Sequence, residues 1–157
     1  MAKVPIPEGV FINWNISRKK YKPTSSEIKE ILAKHKLYLM DEGGEIANLS
    51  GADLHRVDLS NANLRNADLR YADLRYADLN SADLSNADLT GANLTGAYLS
   101  GAELYYALLN GANLRYADLT YADLTFAILN FADLTGAFLT GADLTGAKLI
   151  NVIGYRP

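Results

Sequence analysis

One register dominates this 157-residue chain and decides what it can fold into. From residue 47 to residue 151 a leucine stands at every fifth position without a miss, from Leu49, Leu54 and Leu59 through to Leu144 and Leu149. The segment reads as 21 consecutive pentapeptides of the form A-(D/N)-L-x-x. Alanine precedes the leucine by two residues in 20 of the 21 units, with Val57 the exception. Between them stands Asp or Asn in 15 units, and the departures are Tyr98, Glu103, Leu108, Ile128, Phe138 and Lys148.

A period of five fits neither regular element. On an α-helix a five-residue step turns the next leucine by roughly 140°, which spreads the leucines around every side of a segment rich in Asp, Asn and Gly. In an unbroken strand Ala and Leu share a face, but an odd period throws each new pair to the opposite face. The pair stays on one side only if each repeat also contains a turn, and the Asn, Gly, Ser and Thr at the last two positions suit turns. The chain must then wind with Ala and Leu inside. Stacked windings can pair their backbone groups in parallel at about 4.8 Å. Proline would interrupt such a ladder, and Pro5, Pro7, Pro23 and Pro157 all lie outside the repeats.

The array of these units resembles the pentapeptide-repeat family, over about two thirds of the chain. The resemblance implies an all-β solenoid, a right-handed quadrilateral β-helix with four pentapeptides per coil. The 105 repeat residues would then make about five coils, a rod roughly 25 Å long at the usual strand spacing. The chain divides into an N-terminal strand and capping helix over 1–46, the repeats over 47–151 and a C-terminal tail over 152–157.

A solenoid has two open apolar ends. At the first, Thr24-Ser25-Ser26-Glu27 has the spacing of a capping box directly after Pro23, and Ile28, Ile31, Leu32, His35 and Leu39 then share one helical face. A helix over about 25–40 is expected, stopped by Gly43-Gly44, with its apolar face on the first coil. His35 reads as a structural residue of that face. Upstream, Val10, Ile12, Trp14 and Ile16 alternate with Phe11, Asn13 and Asn15, the pattern of a strand that could extend the first coil. The basic cluster Arg18-Lys19-Lys20-Tyr21-Lys22 reads as a solvated loop. At the second end the tail after Lys148 offers no helix, so an end-to-end homodimer through Ile150, Ile153 and Tyr155 is expected.

Composition excludes chemistry more than it supplies it. There is no cysteine, hence no disulfide and no thiolate site, and only two histidines. The formal charge of −3 gives no pull toward nucleic acid or anionic lipid. No run of apolar residues is long enough for a membrane span and no secretory leader opens the chain, so a cytoplasmic protein is expected. The Asp and Asn column recurs in every unit and reads as turn-bonding rather than catalytic, softened by Arg56, Arg65, Arg70, Arg75 and Arg115. Serines are plentiful but lack a histidine in a partner position, since His55 is an outward residue of the second repeat. No phosphate loop or dinucleotide fingerprint appears. The expectation is no enzyme, no cofactor and no metal.

Outward positions are the remaining place for function. With residues 20 apart stacked, Leu108 lies under Ile128 and Tyr106 under Phe126, while Phe131 closes the other corner of that face. Apolar groups clustered on the outside mark a candidate contact with an unknown protein partner, unless they only stack as ladders. A second possibility follows from the resemblance: some family members mimic DNA toward type II topoisomerases. Residues 47–157 carry 12 acidic and seven basic residues, a net −5, which is modest for such a role. Threonine rows for ice binding, Thr120 with Thr140 and Thr125 with Thr145, are only two deep.

Overall fold

The computed structural model describes residues 20–155. These residues contain one helix, α1, Ser25–Leu39, followed by a solenoid. The strand expected over 10–16 lies outside the described residues.

The winding register is fixed by parallel bridges, every one of which joins residues 20 apart, from Asn48 with Asp68 to Asp133 with Ile153. Four pentapeptides therefore close each coil. The reason lies in how one repeat disposes of its five N–H groups, as the unit 67–71 illustrates. Ala67 donates to Leu64 across the turn, Asp68 to Ala47 in the coil before, and Leu69 and Tyr71 to Asp88 and Thr90 in the coil after. The remaining N–H, of Arg70, donates to the Asp68 carboxylate at 3.1 Å. Every N–H of this unit has an acceptor, so a proline at any of its positions would remove a bond. The last residue of each unit takes a positive φ, 58° at Tyr71 and 66° at Gly51, as the third position of a type II turn requires.

This turn restores orientation once per repeat. Every third-position leucine from Leu49 to Leu134 is at most 2% exposed, and nearly all the alanines two residues before them are as deeply buried. Each leucine burial contributes roughly 2 kcal/mol before ordering costs. Val57 and Ala62 in the first coil are only partly buried.

Helix α1 starts at the capping box read in the sequence. The Thr24 hydroxyl accepts from the Glu27 N–H at 3.2 Å, and the Glu27 carboxylate accepts from the Thr24 N–H at 2.7 Å. The helix stops one residue earlier than expected, because Asp41, ahead of the glycines, already takes a positive φ of 58° and donates its N–H to Tyr38, while the Glu42 N–H reaches back to Leu37. Ile28 joins the leucine core, with Ile31 and Leu32 packed beside it. His35 is fully buried, and its Nδ1 accepts from the N–H of Ala47, the first repeat residue, at 3.1 Å. Just before the helix, the Tyr21 carbonyl accepts from the Asp53 N–H at 2.7 Å, so this segment pairs with the first coil.

The far end is different. Leu139, Leu144, Leu149, Ala137, Ala142 and Ala147 keep the inward register but are only partly buried. Gly154 takes the leucine position of the next unit with φ 75°, and a Cβ there would lie 2.5 Å from the Thr135 backbone. The coil breaks at that glycine, and Tyr155 packs against the core. Ile150 and Ile153 do not cover the end: each is 58% exposed.

Candidate functional site

The carboxylate column is committed to structure. All 15 Asp and Asn residues at the middle position accept the N–H two residues on, at 2.8–3.3 Å. Where that residue is missing, a neighbouring coil can substitute: Asn80 accepts from the Ser100 N–H and Asn130 from the Ile150 N–H, each 20 residues away. Arginines occupy further lone pairs. Arg70 forks onto Asp68 at 2.9 and 2.6 Å, and Arg75 onto Asp73 at 2.7 Å twice. The guanidinium hydrogen bonds hold both carboxyls below the usual carboxylate range. Arg115 reaches Asp133 at 3.0 Å, and Lys20 of the basic cluster comes within 3.9 Å of Asp73. Arg56 instead lies over the Tyr76 ring at 5.9 Å. Among the described residues no group of three or more metal-binding side chains converges.

Neither histidine sits in a reactive setting. Burial holds His35 below the usual histidine range, against a weaker pull from the Arg65 carbonyl. Nε2 has no hydrogen-bond partner among the described residues. His55, expected on the outside, is half-buried and meets the Tyr76 ring edge-on at 5.8 Å.

What the surface offers is aromatic. Tyr106 and Phe126 stack at 5.1 Å and 16°, as their 20-residue separation implies. Leu108 and Ile128 are bridged through their backbones on the adjoining face, but both are half-buried and less prominent than the sequence suggests. Phe131, at the far corner of that face, is 62% exposed. Tyr105 joins the cluster unpredicted, meeting Tyr106 at 4.3 Å and Phe126 at 5.9 Å, both edge-on. Its position next to Tyr106 at a corner is the signal that would have found it.

The sequence profile described as "Pentapeptide repeats" matches residues 47–86, 77–115 and 117–153, in eight copies. The chain belongs to the pentapeptide repeat family. Among solved structures it is similar to alr5209, a pentapeptide repeat protein from Nostoc PCC 7120, at 29% identity and a TM-score of 0.60, over 84% of this chain and 99% of that one. It is also similar to Rfr23 from the cyanobacterium Cyanothece 51142, at 39% identity and a TM-score of 0.45, over 62% of this chain and 63% of the other. A pentapeptide repeat protein of the Arabidopsis thaliana thylakoid lumen matches at 33% identity and a TM-score of 0.44, over 60% of this chain and 63% of that one. The chain thus spans under two thirds of the length of two of these three relatives. Among curated proteins, none matches the chain.

In this pentapeptide repeat protein a second surface feature emerges only with the coil register. Five corner aromatics each lie over a glycine 20 residues later: Tyr71 on Gly91, Tyr76 on Gly96, Tyr116 on Gly136, Tyr121 on Gly141 and Phe126 on Gly146. A Cβ on any of these glycines would meet the ring at 2.5–2.6 Å. Aromatic side chains are unfavourable at positive φ, so the ring contact helps to hold them there. Among the described residues no helix is long and apolar enough to cross a membrane.

Proposed function

We propose that this chain is a non-enzymatic interaction module: a right-handed quadrilateral β-helix over 47–151, closed at one end by the segment 1–46, that binds a protein partner through outward side chains. A cytoplasmic location goes with this reading. The supporting observation is the aromatic cluster of Tyr105, Tyr106 and Phe126 beside Leu108, Ile128 and Phe131. Aromatic rings held on a rigid backbone lose little entropy on binding and are frequent anchors of interfaces. The carboxylates that an enzyme or metal site would need are engaged in turns. Affinity capture with the wild type and with Leu108→Asp/Ile128→Asp tests the patch. A protein retained by the first and lost by the second is expected, with the variant's melting transition intact; identical capture contradicts the reading. The C-terminal end, with Ile150, Ile153 and Tyr155, serves as a homodimer contact in the same proposal.

DNA mimicry toward a type II topoisomerase is the second reading, and the net −5 of residues 47–157 favours it. The forks of Arg70 and Arg75 on the aspartates weaken the negative potential such a surface needs. A gyrase supercoiling assay distinguishes the two: no change in supercoiling is expected.

A further inference from the structure

The last coil ends in an unpaired edge. Along its faces each coil offers its leucine N–H and its alanine C=O to the coil that follows, and at the corners the N–H of each unit's last residue. Among the described residues, the N–H groups of Leu139, Leu144 and Leu149 and the carbonyls of Ala137, Ala142 and Ala147 have no backbone partner. On each face this places a free C=O just before, and a free N–H just after, one outward residue. Such an edge is self-complementary. When two outward residues stand opposite as an antiparallel, non-hydrogen-bonded pair, the carbonyl before each accepts from the N–H after the other. The edge at the other end cannot serve as the partner, because α1 and the Tyr21 segment lie against the first coil. The occupant that fits is the same end of a second copy.

The pitch of the coil decides which faces meet. Successive faces climb by a quarter of the coil spacing, so Asp143, Lys148 and Ile153 stand about 1.2, 2.4 and 3.6 Å above Phe138. Two such ramps related by a two-fold axis meet flush only if facing heights add to one total everywhere. An axis through the corner between Asp143 and Lys148 achieves this, with about 3.6 Å on all four faces. Every other axis through a face or corner leaves totals that differ by about 4.8 Å. The flush arrangement sets Asp143 opposite Lys148 and Phe138 opposite Ile153, twice each.

The side chains match that pairing. Lys148 is exposed and forms no ion pair among the described residues. Asp143 is exposed and uses Oδ1 on the Thr145 N–H at 2.8 Å, leaving Oδ2 for another donor. Phe138 and Ile153 are 60% and 58% exposed, in a family whose outward residue there is usually Asp or Asn. We infer that two copies associate end to end about this axis, each Asp143 paired with the second copy's Lys148 and each Phe138 packed on the second copy's Ile153. Between these edges Ala142 accepts from the second copy's Leu149 and Leu144 donates to the second copy's Ala147. The inference rests on the C-terminal homodimer reading and supplies its register.

Sedimentation equilibrium of the full chain tests it with charge reversals. The wild type is expected to dimerise, and Lys148→Asp and Asp143→Lys are each expected to weaken self-association at least tenfold, since each creates two like-charge pairs. Mixing the two variants makes both pairs attractive again and should restore dimer, as should the double variant D143K/K148D. This rescue separates lost pairing from lost folding. A wild type that stays monomeric overturns the homodimer reading altogether. A dimer indifferent to both reversals, or variants that weaken but do not recover on mixing, overturns this register and leaves the homodimer reading standing.

Discussion

At the scale of the single residue, each position of the pentapeptide has one physical duty, and not all of these duties were legible in the sequence. The alternation of buried Ala and Leu followed from the odd period, and so did the turn. The turn-bonding role of Asp and Asn was also readable, because a column of like charges with no common pocket has few other uses. The glycines beneath the rings were not readable, since Tyr116 and Gly136 are neighbours only once the coil is known to hold 20 residues. Their contact makes a prediction. Gly136→Ala puts a Cβ where the Tyr116 ring lies, 2.5 Å away, at a φ of 72° that alanine disfavours, so a loss of about 1–2 kcal/mol is expected in urea melts. In a Tyr116→Ala background the same change should cost at least about 0.5 kcal/mol less. Strictly additive losses would contradict the ring-on-glycine packing.

At the scale of the element, α1 was legible because its signals are local: Pro23, the capping box and one apolar stripe stand within a few residues of each other. Placing His35 on the stripe was possible; its bond to the Ala47 N–H was not, because that partner arrives through a loop with no sequence signature. The bond gives the helix a pH dependence. Nδ1 accepts, so the ring must be neutral, and burial lowers its pKa below the ordinary value of about 6.5. A histidine with a lowered folded pKa contributes stability that is present above about pH 6.5 and is lost as pH falls below it. Thermal melting should therefore weaken between pH 7.5 and pH 5.5, well before the paired aspartates Asp68 and Asp73 protonate. Those carboxyls, lowered by their arginines, withdraw their contribution only below about pH 4. His35→Phe should start from lower stability at pH 7.5 but lose the sensitivity over this window. An equally steep loss in the variant would assign the effect to other groups.

At the scale of the whole molecule, the rod is a one-dimensional assembly in which each coil is paired with its two neighbours, so its ends matter as much as its faces. One end is covered by α1, while the other keeps an open ladder and a half-buried leucine floor. That asymmetry allows a closed pair of rods and disfavours a growing fibre. The outward apolar residues could be placed on faces from sequence alone. Their depth could not, and Leu108 and Ile128, both half-buried, are less exposed than their hydrophobicity suggested. The whole architecture depends on the backbone turning once in every pentapeptide. Amide hydrogen exchange, resolved by residue, measures this most directly. From 64 to 134 the N–H groups of the alanine, the middle residue and the leucine should be strongly protected in every unit. The residue after the leucine, bonded only to an outward side chain, should exchange far faster, giving one weak position in every five. Protection that repeats every three to four residues, or that is uniform along the rod, would contradict the winding and everything built on it.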